Sequence, residues 1–199
     1  TENTHYYNHV ANMFLNYNGS WSGHNLNVMA GFTAKHEIVN RFQLNAKGLI
    51  SDNMKWNNMN AISSKENYTA STAFEKVVSE SVLARLNYNY RSRYYLTLTA
   101  RADASSNFAA NNKWGFFPSG AFRWNLKNER WLKNQRWLSE LALRLSAGRT
   151  GNNAISVYRS LEAYSTSTSG AIFDGSQSIT VYPSRLENPD LTWEKPTLY

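Results

Sequence analysis

The sequence contains no cysteine. That excludes a disulfide scaffold, a thiolate zinc site and a cysteine nucleophile, and it leaves the redox compartment open, because an oxidising compartment does not require cysteines. Charge is sparse as well: 18% of the 199 residues are charged against 42% apolar, a balance that excludes both a disordered chain and a coiled coil. No apolar run approaches the ~18 residues a spanning helix needs, and mean hydropathy is −0.56, so no helical membrane segment is expected. Alternating strands are invisible to hydropathy, and a membrane β-barrel therefore stays open. The opening TENTHYYNHV has no Met, no basic stretch and no apolar stretch. The expectation is a chain without a signal peptide, internal to a longer protein.

What the sequence does hold is aromatic rings, 14% of residues, and asparagine, which occurs 25 times. Net charge is +7 with a pI near 9.6. Residues 113 to 149 carry eight basic groups against Glu129 and Glu140. They are spread singly, with no reading helix or RNP-type aromatic motif, so nucleic acid is not an expected partner.

Period-two alternation recurs over lengths of about ten residues, the length of a tilted membrane strand. In residues 82 to 90, Val82, Ala84, Leu86, Tyr88 and Tyr90 fall on one face and Leu83, Arg85, Asn87 and Asn89 on the other. After Arg91, Ser92 and Arg93, a second strand sets Leu96, Leu98, Ala100 and Ala102 against Thr97, Thr99, Arg101 and Asp103. Residues 119 to 126 and 138 to 148 repeat the pattern, with Phe122, Trp124, Leu143 and Leu145 opposite Arg123, Asn125, Arg144 and Ser146. Upstream, 5 to 17 and 24 to 37 form a weaker pair, with the Asn18-Gly19 step as the hairpin signal between them. Long connections are expected at 40 to 73 and 149 to 190, alternating with short turns as in a membrane barrel. The fold class this predicts is all-β: an antiparallel up-and-down sheet of about six strands, a sector of a transmembrane β-barrel.

Other chemistry is thinly represented. His5 and His9 have the spacing that ligates zinc on a helix, but on a strand they stand ~13 Å apart, and no third ligand accompanies them. Glu187, Asp190 and Glu194 are the one close acidic group, in a proline-containing segment that sets no glycosidase-like separation. The Ser-rich run at 165 to 169 reads as a flexible surface loop with no histidine to activate a nucleophile. No catalytic, metal or cofactor residue is therefore assigned, and an enzyme is not expected. Arg101 and Asp103 share a face ~6.6 Å apart, near enough to pair on a wet wall.

Four stretches narrow the reading: RADASSNF (101 to 108), WGFFPSGAFRWNL (114 to 126), LALRLSAGRTGNNAI (141 to 155) and LENPDLTWEKP (186 to 196). In order and spacing they resemble the barrel of SusC/RagA-like TonB-dependent transporters of the Bacteroidota outer membrane. The resemblance covers about a hundred residues; residues 1 to 73 share only the rhythm of strands and loops. Ala104 stands where the family usually has glycine, and Pro196 delays the final strand to Thr197 or beyond.

The resemblance implies that residues 1 to 199 are part of a barrel of roughly 22 strands, with no counterpart here to the family's plug, N-terminal domain or TonB box. It implies nutrient uptake across the outer membrane: import of an oligosaccharide or a peptide, beneath a SusD-like surface lipoprotein, in outer-membrane lipid, with energy from the TonB complex. Arg85, Arg101, Asp103 and Arg144 are then the candidates to face the lumen. Trp56, Tyr68, Tyr158, Tyr164 and Phe173 are the loop candidates for partner or substrate contact. A soluble carbohydrate-binding β-sandwich, suggested by the Trp, Tyr and Asn content, is the second reading.

Overall fold

The structure, a computed structural model, describes residues 1–48, 53, 67–173 and 176–199. Nine strands run through them: β1 (Glu2–Trp21), β2 (His24–Ala46), β3 (Tyr68–Tyr90), β4 (Tyr94–Ser105), β5 (Trp114–Asn125), β6 (Ala142–Arg149), β7 (Ala163–Phe173), β8 (Ser176–Arg185) and β9 (Thr197–Leu198). Seven form one sheet in the order β1-β2-β3-β4-β5-β6-β9, and β7 and β8 form a separate two-stranded hairpin. Neighbours in the sheet are neighbours in sequence apart from the excursion of β7 and β8. That is the up-and-down order expected of a barrel wall, and among the described residues no strand crosses between sheets as a Greek-key sandwich requires.

Several boundaries differ from the periodicity. The first hairpin turns at Ser22-Gly23, where both residues take positive φ (45° and 86°), as a two-residue primed turn requires. Asn18-Gly19 lies inside β1 instead. β3 begins at Tyr68, inside the expected long connection, because a ladder of backbone groups continues through polar side chains. The Ser-rich run expected as loop lies in β7, paired with β8 through Ser167↔Thr180 and Thr166↔Val181; its alternation of small polar residues gives no hydrophobic period to read. β9 does start at Thr197, just after Pro196.

By its internal packing the chain divides into two units. The first holds Thr1–Val10 and Lys35–Val78. There the Thr1 amino group donates to the Leu44 carbonyl at 2.7 Å, Arg41 pairs with Glu2 at 3.3 Å, and the His9 and His36 rings stand 6.4 Å apart.

The second unit, Ala11–Ala34 and Ser79–Tyr199, contains the clearest sheet. Residues paired across antiparallel strands point to the same side. Rows such as Leu86↔Leu98↔Gly120↔Ala147 and Tyr88↔Leu96↔Phe122↔Leu145 therefore make one continuous apolar face over β3 to β6. The face ends in rings at both borders. At the short-turn border, Trp21, His24, Tyr90, Tyr94 and Trp124 follow one another across five strands, successive centroids 4.5–6.5 Å apart. Contacts of this geometry contribute about 0.5–1.5 kcal/mol per aromatic pair. At the other border stand Trp114 and Phe116, both exposed. Tyr94↔Trp124 and Ala104↔Trp114 are ten residues apart along β4, about 33 Å of strand, or about 25 Å of height at a barrel tilt near 40°, the thickness of an outer-membrane apolar band.

A carboxylate fixes the short-turn border. Glu129, only 8% exposed, accepts from the Tyr94 hydroxyl at 2.7 Å and the Trp124 indole at 3.1 Å, and pairs with Arg93 at 3.3 Å. The bonds from Tyr94 and then Trp124, with the Arg93 charge behind them, hold its carboxyl below the usual range despite burial.

At the opposite end the four motif stretches meet. Phe108, Phe117 and Trp193, 2%, 6% and 8% exposed, form the buried cluster, with Ile155 and Leu191 against it. The Phe108 and Phe117 rings lie 4.6 and 5.3 Å from that of Trp193. Phe117 is admitted because two neighbours lack a side chain: a Cβ at Gly115 or Gly151 would lie 2.4 or 2.2 Å from its Cζ. Polar bonds close the cluster. The Trp193 indole donates to the Lys113 carbonyl at 2.8 Å, the Asn112 amide to the Pro189 carbonyl at 3.2 Å, and the Asn152 amide to Glu194 at 2.9 Å.

Two outcomes follow. Gly151→Ala forces Phe117 to move and should cost about 1–3 kcal/mol of unfolding free energy, whereas Gly120→Ala, whose Cβ would meet Leu98 at an ordinary 3.4 Å, should cost clearly less; denaturant titration of the two variants checks this. Because Glu129 is held below its unfolded value, its contribution is complete above the ordinary carboxylate pKa of about 4.3 and is lost as pH falls through the folded value. The stability gap between the parent and Glu129→Gln should therefore be full at neutral pH and shrink in acid, as unfolding curves across pH will record.

Candidate functional site

The face opposite the leucines is polar and equally continuous. Ser81, Arg85 and Asn87 on β3 share it with Thr97, Thr99, Arg101 and Asp103 on β4, Ser119 and Arg123 on β5, and Arg144 and Ser146 on β6. All four candidates expected to face a lumen thus lie on one side of one sheet. The alternation that made the leucines legible also dictates this, since a strand cannot bury one set of residues without presenting the other.

Hydrogen bonds run across the strands on this face. Asn27 donates to Asn18 at 2.6 Å, Asn87 to Asn27 at 3.1 Å, and Thr97 to Asn87 at 2.9 Å, one unbroken row over β1 to β4. Nearer the long-loop end, the Arg101 Nε–H is shared between the two Asp103 carboxylate oxygens at 2.8 Å each and its Nη2 donates to Ser81 at 3.1 Å, so the expected pair forms. Arg85 donates to Thr99 at 3.4 Å. Arg123 lies 5.8 Å above the Tyr95 ring and pairs with Glu140 at 2.6 Å. Arg144 stands directly opposite Arg123 in the register and lines a groove with Thr97, Ser119 and Ser146. Tyr94 and Tyr95, adjacent in sequence, serve opposite faces.

The loop candidates are more scattered. Tyr68 opens β3. Tyr158 takes positive φ (58°), and its carbonyl accepts from Arg185 at 2.6 Å at the base of the β7–β8 hairpin. Tyr164 is exposed on β7, opposite Pro183. Trp56 and the side chain of Phe173 lie outside the described residues. The asparagine row and the Glu129 cluster were missed from sequence; asparagines at alternate positions on successive strands, Asn18, Asn25, Asn27, Asn87 and Asn89, were the available signal for the first.

Chemically this face is a wall of amides, hydroxyls and guanidinium groups, suited to hydrogen-bonding and to water. Among the described residues no group of three or more His, Cys, Asp or Glu gathers to hold a metal ion; His5 and His9 both sit on β1.

No family model matches the chain. Among curated proteins it is 33% identical over 187 residues to TonB-dependent receptor P3 of Formosa agariphila, covering 94% of this chain and 18% of that protein. It is 30% identical over 197 residues to TonB-dependent receptor SusC of Bacteroides thetaiotaomicron, covering 97% and 19%. Among solved structures, one of the RagAB peptide transporter superposes with a TM-score of 0.85 at 23% identity, over 98% of this chain and 21% of that one. The chain thus spans about a fifth of the length of the relatives it matches. Sequence and fold agree: the chain resembles SusC/RagA-like TonB-dependent receptors, and its fold corresponds to a segment of their β-barrel.

Proposed function

We propose that residues 1 to 199 form a partial barrel wall in an outer-membrane importer, with the apolar face against lipid and the polar face lining an aqueous lumen. The observation that carries this is the separation of the two faces over four consecutive strands, with rings at both borders of the apolar one. A wall of this kind contributes no catalysis. Arg85, Arg101, Asp103 and Arg144 would hydrate the lumen and offer bonds to a passing glycan or peptide, the solute classes the family resemblance implies. Energy would come from the TonB complex through a plug.

These 199 residues hold no cysteine, so the assignment can be tested by labelling in a full-length receptor from which any cysteine elsewhere has been replaced. Single cysteines at Thr99 or Ser146 in the full-length receptor should react with a small water-soluble maleimide at least about tenfold faster than cysteines at Leu98 or Leu145, which should be protected by lipid. Equal rates on both faces would reject the wall.

The β7–β8 hairpin is the segment proposed to meet a SusD-like lipoprotein. It is a self-paired projection with Tyr164 exposed, and its base is fastened by Arg185, which bonds the Tyr158 and Leu161 carbonyls. Replacing residues 164 to 183 by a short glycine linker should leave the wall folded and weaken co-purification of the lipoprotein. Unchanged co-purification would remove the hairpin from that interface.

A further inference from the structure

The connection between β5 and β6, residues 126 to 141, is fixed in its first half to the apolar side of the sheet, while Glu140 near its end pairs with Arg123 of the polar face. Its anchor, Glu129, bonds Tyr94 and Trp124, which both belong to the apolar face. Lys127 turns inward and donates to the carbonyls of Leu132, Lys133 and Gln135, so its charge serves the connection's own backbone. The backbone N–H groups of Leu132 and Lys133 return to the Glu129 carbonyl at 3.1 and 2.9 Å. The result is an ordered ledge beside the aromatic row.

What this ledge turns outward is unusual for a surface in water. Trp131 and Trp137 are 63% and 77% exposed. Arg130, Lys133 and Arg136 are exposed too, and none of the three makes an ion pair with a described residue. Indoles alongside cations, at the border where rings close an apolar band, have the composition of a membrane-interface anchor: the indole prefers the headgroup level and the cation an anionic phosphate.

We propose that this ledge binds anionic phospholipid headgroups at the bilayer surface on the short-turn side, Trp131 and Trp137 resting at headgroup level and Arg130, Lys133 and Arg136 on the phosphates. The inference rests on the wall reading above, since it requires lipid against the adjoining apolar face. It adds a specific lipid class and a specific segment. Each cation near an anionic surface contributes about a fivefold gain in binding, so three give on the order of 100-fold at low salt.

The test uses the full-length receptor in nanodiscs of phosphatidylcholine with and without phosphatidylglycerol, with retained lipid read by native mass spectrometry. The parent should retain phosphatidylglycerol preferentially. R130Q/K133Q/R136Q should lose that preference by on the order of 100-fold, and brominated phosphatidylglycerol should quench less fluorescence in W131F/W137F than in the parent. Preference unchanged in the triple variant, no preference in the parent, or equal quenching with and without the two indoles would each overturn the proposal. So would displacement of the lipid by millimolar inorganic phosphate, which would mark a free-phosphate site. A receptor that enters nanodiscs yet shows no preference refutes the anchor alone; one that does not enter them refutes the wall as well.

Discussion

The ring of Phe117 is the fixed point of the long-loop end. It lies against Trp193, between two glycines where a methyl group would clash, and the chain segments that surround it come from the ends of β4, β5 and β6 and the approach to β9. Elsewhere the sheet has almost no interior: the buried apolar side chains among the described residues are Phe108, Ala109, Phe117 and Trp193. A sheet exposed on both faces takes its register from its ladder and its borders. Phe117 and its neighbours supply one border, and Glu129 with Tyr94 and Trp124 supplies the other.

Between these borders the two faces divide the work. Leucine and phenylalanine on one side cannot be accommodated by water at low cost across a patch this wide, and the asparagine and arginine rows on the other side cannot be accommodated by lipid. The polar rows also do mechanical work. Asn18, Asn27, Asn87 and Thr97 bond one another and tie β1 to β4 across the sheet, as Arg101 with Ser81 and Arg85 with Thr99 tie β3 to β4.

Much of this was legible in sequence where side chains alternate in polarity. The faces of β3 to β6 follow from Leu96, Leu98, Leu143 and Leu145 against Thr97, Thr99, Arg144 and Ser146, and the delay of β9 follows from Pro196. What escaped had no periodic signature. Residues 165 to 169 of β7 are serine and threonine throughout, so their pairing is a property of the backbone and not of hydrophobic pattern. Asn18-Gly19 is the stronger turn dipeptide, but in the structure Asn18 is held by Asn27 across the strands and the chain turns at Ser22-Gly23. Glu129 gave no hint, since its partners come from residues 93, 94 and 124, brought to it only by the register. The four motifs were visible as strings, but their convergence on one ring required the fold.

The most direct test of the wall is a cryo-EM structure of the full-length receptor in lipid nanodiscs, at a resolution that shows ordered lipid and water. Acyl-chain density should lie along Leu96, Leu98, Phe122 and Leu145, with ordered water along Thr97, Thr99 and Ser146. Protein packed against the leucines, with water excluded from the arginine face, would contradict the account.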